Sequence, residues 1–206
     1  MRFLSKPEIC ILVISLIKKP EFRLDLSGIK WDQLFEIFIS EKKSDAIVLD
    51  GPRKKPFEEF FSGYKESPED YLSKTFEDVQ GYEDIVMLKD IAFNSHCEHH
   101  MVPIEGKVHL AYIPVKKVVG ISKLARVVDI FAKRLQTQET MTMQIIKTID
   151  EALEPFGTAI MIDAKHQCMT TRGINKPNVS TITTKFSGLF AEDAELRNRF
   201  MQLVKE

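Results

Sequence analysis

Hydrophobic positions over residues 85–206 repeat in two periods, and the switches between them divide the chain into elements. Ile85-Val86-Met87-Leu88 is a short apolar run of strand type, and Val108-His109-Leu110-Ala111-Tyr112-Ile113 is another, ended by Pro114. The period then lengthens. Ile121, Leu124, Val127, Val128, Phe131 and Leu135 form a stripe at helical spacing, with Ser122 placed to cap its N-terminus. Gln136 to Glu139 breaks the stripe, and Met141, Ile145, Ile149 and Leu153 resume it in a second helix. Thr158 to Asp163 returns to strand, Ser180 to Phe186 alternates threonine with apolar residues, and Ala194 to Val204 reads as a polar-faced closing helix. The order strand, strand, helix, helix, strand, strand predicts an α+β layer, an antiparallel sheet with an antiparallel helix pair on one face.

The first part of the chain is patterned differently. Ile9 to Ile17 is an apolar run that can pass for a signal-peptide core. Pro7 and Glu8 before it, Lys18-Lys19-Pro20 after it and the lack of a small-residue cleavage site favour a buried strand or helix, and the run is too short to span a bilayer. Trp31, Leu34, Phe35 and Phe38 make an amphipathic helix, and Glu41 to Asp45 a charged loop. Asp50-Gly51-Pro52-Arg53-Lys54-Lys55-Pro56 follows, and Pro56 opposes a helix running through it. Phe57 to Phe61 reads as a helix end, stopped by Ser62-Gly63. The expected division is a partly helical N-terminal extension over 1–84 and a catalytic domain over 85–206.

Composition narrows the class. At 206 residues with 44% apolar and 29% charged side chains, the chain has material for one sizeable core. A net charge of −1 gives no bulk attraction to nucleic acid or to an anionic membrane, and neither partner is expected. Three cysteines, an odd number, argue against a disulfide scaffold and for a reducing compartment, the cytoplasm. No Gly-rich phosphate loop is present, so a nucleotide would not be held as in P-loop proteins.

The chemistry is concentrated in two places. Asn94-Ser95-His96-Cys97-Glu98-His99-His100 and His166-Gln167-Cys168 together hold four of the five histidines and two of the three cysteines. Cys97 and His100, three apart, can face one point from a helical turn or tight loop, and thiolate with imidazole is a pair that zinc favours. Cys168 is a natural third ligand, which leaves a fourth position for water, as in a catalytic site. His99, beside a ligand, points off the metal axis and is free to move protons, and His166 shares a strand face with Cys168. Three other readings stand at this stage: a Cys97–Cys168 disulfide, a buried thiol and an unrelated second one, and a closed structural site completed by His99 or His166. His109, alternating with Val108 and Leu110, faces the other side of the sheet and reads as structural. Lys123 and Arg126 on the first turns of a helix suit a phosphate, or are solvated cations. Glu139 is either an ordinary first-turn acid or a carboxylate able to accept two hydrogen bonds from a guanine edge.

Cys97-Glu98-His99-His100, then Gly120-Ile121-Ser122-Lys123, Arg126, Gln136-Thr137-Gln138-Glu139 and His166-Gln167-Cys168-Met169-Thr170-Thr171-Arg172-Gly173, resemble in the same order the motifs of GTP cyclohydrolase I. The likeness runs from about Phe57 to the C-terminus. It implies a tunnelling fold whose sheets join between subunits into a barrel, two pentamers stacked as a homodecamer, and active sites between subunits. It implies a zinc ion on Cys97, His100 and Cys168, and water activated there attacking C8 of GTP to give formate and 7,8-dihydroneopterin triphosphate. His99 and His166 would shuttle protons and Ser122 would help the later rearrangement. Glu139 with Gln138 would hold guanine, and Lys123, Arg126 and Arg172 the triphosphate, from more than one chain. A family lysine on the phosphates has Lys54 as its nearest equivalent, in a stretch where the Thr-Pro-led helix of the family is replaced. Two rivals are a same-fold pterin synthase or nitrile-reducing enzyme, which lacks this Cys/His pair of motifs, and a zinc-stabilised oligomeric protein that has lost turnover through its altered N-terminus.

Overall fold

A proline inside a helix is tolerated only where its missing N–H has no partner to lose, and the described chain opens on such a case. The computed structural model describes residues 54–76 and 81–206; the apolar run at 9–17, the stripe at 31–38, the loop at 41–45 and the stretch from Asp50 to Arg53 lie outside the described residues. Helix α1 spans Lys54–Phe60, and Pro56 falls in its first turn, where backbone N–H groups are unpaired in any helix. A 3₁₀ turn at Ser62–Lys65 follows. Gly63 is required there by close approach: a Cβ on it would lie 1.9 Å from the carbonyl oxygen of Ile130. The Gly63 N–H donates to Lys133 O at 3.1 Å, and the half-buried Arg134 donates from Nε to Gly63 O at 3.0 Å. After this clamp come α2 (Pro68–Leu72) and β1 (Thr75–Phe76).

The remaining elements follow the sequence pattern with longer strands. They are β2 (Val86–Cys97), β3 (Pro103–Ile113), β4 (Val118–Val119), α3 (Ile121–Ala132), β5 (Leu135–Gln136), α4 (Gln138–Leu153), β6 (Gly157–His166), α5 (Gln167–Thr170), β7 (Thr181–Phe186), α6 (Leu189–Glu192) and α7 (Ala194–Lys205). Among the described residues β1 pairs with β4, and a five-stranded sheet runs in the order β5-β2-β3-β6-β7. That sheet is antiparallel except for the short parallel pairing of β5 with β2. The α3 helix starts at Gly120 without a side-chain cap, so Ser122 is its second residue and not the N-cap that the sequence suggested. Thr137 caps α4 in the usual way, its side chain accepting from the Thr140 N–H.

Side-chain alternation on β3 and β6 builds two separate apolar layers. Val108, Leu110, Tyr112, Ile160, Ile162 and Ala164 face α3 and α4, where Leu124, Val127, Val128, Phe131, Met141, Ile145 and Ile149 complete the main core. Each such fully buried side chain contributes about 1.5–3 kcal/mol. Ala111, Ile113, Ala159 and Met161 point the other way, onto Phe190 of α6 and Phe200 of α7. The expected helix pair on one face is α3 with α4, and the closing helix adds a second layer on the other face, where Phe200 meets Phe190 at 6.2 Å and Phe186 at 5.9 Å. Phe200 is the one fully buried side chain of that helix, and Leu196, Met201, Leu203 and Val204 are only partly buried beside it, too weak a stripe to read. Among the described residues no helix is long and apolar enough to cross a membrane.

His109 belongs to this second face, as the alternation predicts, and the structure gives the reason for it. The β2–β3 register shifts between Leu88 and Ile91, where Asp90 takes a left-handed φ of 59°. The N–H of Asp90 at this bulge donates to Nδ1 of His109 at 3.3 Å, and Lys107 Nζ meets the Asp90 carboxylate at 2.8 Å. His109 is 6% exposed, and burial holds its imidazole below the ordinary 6.5. A depressed histidine binds fewer protons folded than unfolded, so its contribution is present above pH 6.5 and is lost as the pH falls below that value. Thermal melts should therefore show stability falling on acidification, and His109→Gln, which keeps an acceptor without a titrating ring, should flatten part of that slope.

Candidate active site

The cluster around Cys97 is carried by the end of a strand and a tight turn, and not wholly by a connection. Asn94 to Cys97 are the last residues of β2. The Cys97 N–H donates to Val102 O at 2.9 Å, and the Met101 N–H to Cys97 O at 2.7 Å, closing a turn with Met101 at φ 56°. That turn brings the Nδ1 of His100 to 4.0 Å from the Sγ of Cys97. β6 ends at His166, which pairs with Ile104, and α5 begins immediately afterwards and carries Cys168. The ligand atoms of Cys97, His100 and Cys168 all lie within 4.8 Å of one another. Zinc–sulfur and zinc–nitrogen bonds of ~2.3 and ~2.0 Å at tetrahedral angles place ligand atoms roughly 3.6–3.8 Å apart, so small side-chain adjustments close this triad on an ion.

Two thiols and an imidazole suit a soft divalent cation. Burial, and then the neighbouring Cys97, push the Cys168 thiol above its usual range, so a cation between the sulfurs is what would let both become thiolates. Burial, with the Arg172 guanidinium and His99 nearby, holds His100 below the ordinary imidazole value and favours the neutral, ligating form. Both cysteines are free, so they form no disulfide. Among the described residues neither His99 nor His166 joins the triad, which leaves the fourth position open.

Around the triad stand most of the residues singled out from the sequence. His99 is exposed, its Nε2 at 3.9 Å from the Glu98 carboxylate and its ring edge-on to His100. His166 is half-buried; burial lowers its pKa, opposed by the carboxylate of Glu139, which sits exposed in the first turn of α4. Arg172, on the turn after α5, lies close enough to act electrostatically on both His100 and Cys168. Gln138 is different: it is 2% exposed, and both ends of its amide are committed within the protein.

Ser122, Lys123 and Arg126 are not brought to the triad. The N-terminus of α3 sits beside Tyr112, whose hydroxyl accepts from the Val119 N–H at 3.4 Å, whereas the triad sits at the His166–Ile104 end of the same ladder. Eight residues of β3 separate Ile104 from Tyr112, or about 27 Å of strand. The twelve residues of α3, measured along the helix, give a shorter separation, ~18 Å, still a full helix length. Arg126 lies over the Tyr71 ring of α2 at 5.6 Å, and the Tyr71 hydroxyl donates to Glu66 at 2.8 Å. The side chain of Lys54 lies outside the described part of the structure. One residue of the cluster escaped a role in the sequence: His96 is held between Phe60 and Phe61, at 5.1 and 5.2 Å, as packing for α1.

Comparison with known proteins identifies the family. The GTP cyclohydrolase I family profile matches residues 32–205, beginning well before Phe57. A GTP cyclohydrolase 1 of Maricaulis maris is 61% identical over 77% of this chain and 78% of its own. That of Hyphomonas neptunium is 60% identical over 76% and 77%, and that of Brucella suis 56% identical over 77% and 75%. A solved archaeosine synthase QueF-Like, 20% identical, covers 50% of this chain and 93% of its own with a TM-score of 0.43.

Proposed function

This chain belongs to the GTP cyclohydrolase I family, and from that premise we propose that Cys97, His100 and Cys168 hold a zinc ion at the centre of its active site. The enzyme is a hydrolase with the tunnelling fold, converting GTP and water to formate and 7,8-dihydroneopterin triphosphate in pterin and folate biosynthesis. The observation that carries the zinc reading is the convergence of three soft donor atoms from β2, its turn and α5 within 4.8 Å. Zinc bound there supplies Lewis acidity that activates water near neutral pH. The chain's own residues do the rest. Glu139, exposed beside His166, accepts two hydrogen bonds from the guanine edge and sets its orientation. His166 and His99 take and return protons at the imidazole ring as it opens and formate leaves. Arg172 neutralises phosphate charge on the same side, and Ser122 assists the rearrangement of the ribose.

Ser122, Lys123 and Arg126 reach such a site only from another copy of the chain. We place the protein in a homodecamer of two stacked pentamers, with Lys54 as a further phosphate contact, and in the cytoplasm, where free thiols persist. What supports assembly is the remoteness of the α3 N-terminus together with β7, which among the described residues is an edge strand and whose Ile182 is 56% exposed.

Zinc-loaded protein incubated with GTP should release formate and dihydropterin in equal amounts, followed by near-ultraviolet absorbance. Formate without pterin would locate a failure after ring opening, and neither product would sink the assignment. Glu139→Ala should lower kcat/KM for GTP by about 100-fold, from the loss of two charge-assisted hydrogen bonds, while zinc content stays unchanged. Loss of zinc in that variant would mean that Glu139 supports the metal instead.

A further inference from the structure

Gln138 sits where a substrate contact was expected, yet its amide has no free edge. Its Nε2 lies 3.0 Å from Ile162 O, 2.8 Å from Thr181 O and 3.2 Å from Thr183 Oγ1. Two of these are backbone carbonyls, which only accept, so the NH₂ end must point at them and the oxygen must point away. The third corner agrees. Thr142 Oγ1 donates to Gln138 O at 2.7 Å, so the Thr183 hydroxyl donates to Thr142 at 2.7 Å and turns its lone pairs to the Gln138 amide. Flipping the amide would set its oxygen against two carbonyls in a buried site, a steep penalty.

The Oε1 atom that this network orients lies 2.8 Å from Nε2 of His166. An amide oxygen accepts and never donates, so Nε2 carries the hydrogen, and a neutral imidazole with Nε2–H has its lone pair on Nδ1. That Nδ1 is not among the buried, unpaired polar atoms of the described residues, whereas the Nδ1 of His96 is, so the basic nitrogen of His166 remains open to solvent.

We propose that Gln138 is a positioning residue that fixes the tautomer and ring orientation of His166, making Nδ1 the atom that exchanges protons with the substrate. Through the buried tie to β6 and β7, the first turn of α4 serves the site twice. Glu139 is displayed outward, while Gln138, one residue earlier, points inward and holds the histidine. This proposal rests on the reading of His166 as a proton carrier, and the two can fail separately.

The first test uses the intact zinc-loaded protein labelled with nitrogen-15 histidine. The chain has five histidines, and the His166 signals are identified by their absence in His166→Gln. A protonated Nε2 with an unprotonated Nδ1 is the expected spectrum; a protonated Nδ1 on neutral His166 overturns the proposal without touching the zinc or substrate assignments. The second test compares Gln138→Met, close in size but unable to accept the bond, with Thr183→Val, which disturbs the same buried network and leaves the His166 bond in place. Gln138→Met should lower kcat by about tenfold or more with KM for GTP within about twofold, and should mix the two His166 tautomers. Thr183→Val should lower the Tm comparably and keep kcat within about twofold of the parent. Equal losses of kcat in the two variants would assign Gln138 a purely structural role. If His166→Ala kept its turnover, the proton-carrier reading would fail even with the tautomer as expected.

Discussion

Cys168→Ala is expected to stop turnover almost completely while leaving the fold in place. On the proposed zinc site, loss of one of three protein ligands would remove the cation whose acidity brings water within reach of neutral pH, and a drop of about 10⁴-fold or more would follow. Stability should change far less. Cys168 lies half-buried on the four-residue helix after β6, and only packs against the edge of a core whose fully buried members, such as Leu110, Tyr112, Leu124, Ile145 and Ile160, lie elsewhere. Metal analysis, the dihydropterin assay and circular dichroism on one preparation separate the outcomes. Zinc retained at full stoichiometry would show that Cys168 is not a ligand. Zinc lost together with helical and sheet signal would make the ion structural, because a structural zinc site unfolds without its metal. Cys97→Ala is the less clean experiment: Cys97 is buried and packed into the core, so its truncation adds a cavity cost to the loss of a ligand.

That triad was readable from the chain because its chemistry is compressed. Spaced Cys/His donors and a distant Cys/His pair are rare in any composition, and the fold had to supply the tight turn after β2 and the β3–β6 pairing that carries Cys168 to it. Periodicity likewise gave the sheet and the helix pair, since the strands read as apolar runs and α3 and α4 each bury one clear stripe. The misses share a cause. The second apolar layer under the sheet depends on Phe190 and Phe200 arriving from short C-terminal helices, and tertiary packing of single residues leaves no period. Ser122 looked like a cap because serine favours that place, but backbone geometry put Gly120 there. Gln138 was expected at the substrate because it stands in the Gln136-Thr137-Gln138-Glu139 stretch that resembles the family motif. Its burial against Ile162, Thr181 and Thr183 is a long-range fact, and no local pattern encodes it.

Two inactive variants should restore each other when they are made in one cell. The first is His166→Ala, which leaves Lys123 and Arg126 intact; the second is Lys123→Ala with Arg126→Ala, which leaves His166 and the triad intact. Within one chain the α3 N-terminus and the His166 end of the sheet stand a full helix length apart, ~18 Å for the twelve residues of α3. The phosphate cations and the reacting histidine must then come from different copies if they act on one GTP. In randomly mixed oligomers, about a quarter of such composite sites pair an intact histidine from one chain with intact cations from its neighbour, because each contribution is intact in half the chains and closed symmetric rings repeat one interface. Activity of the co-expressed mixture should rise toward that fraction of the parent value, far above either variant alone. If all these residues served a site within one chain, no chain in the mixture would carry a complete set, and activity would remain at the level of the separate variants. Activity absent from the mixture, with oligomers of normal size, would therefore overturn the shared site, whereas a Lys123→Ala/Arg126→Ala variant that stays active by itself would return both residues to the solvated face of α3, where Arg126 already rests on Tyr71.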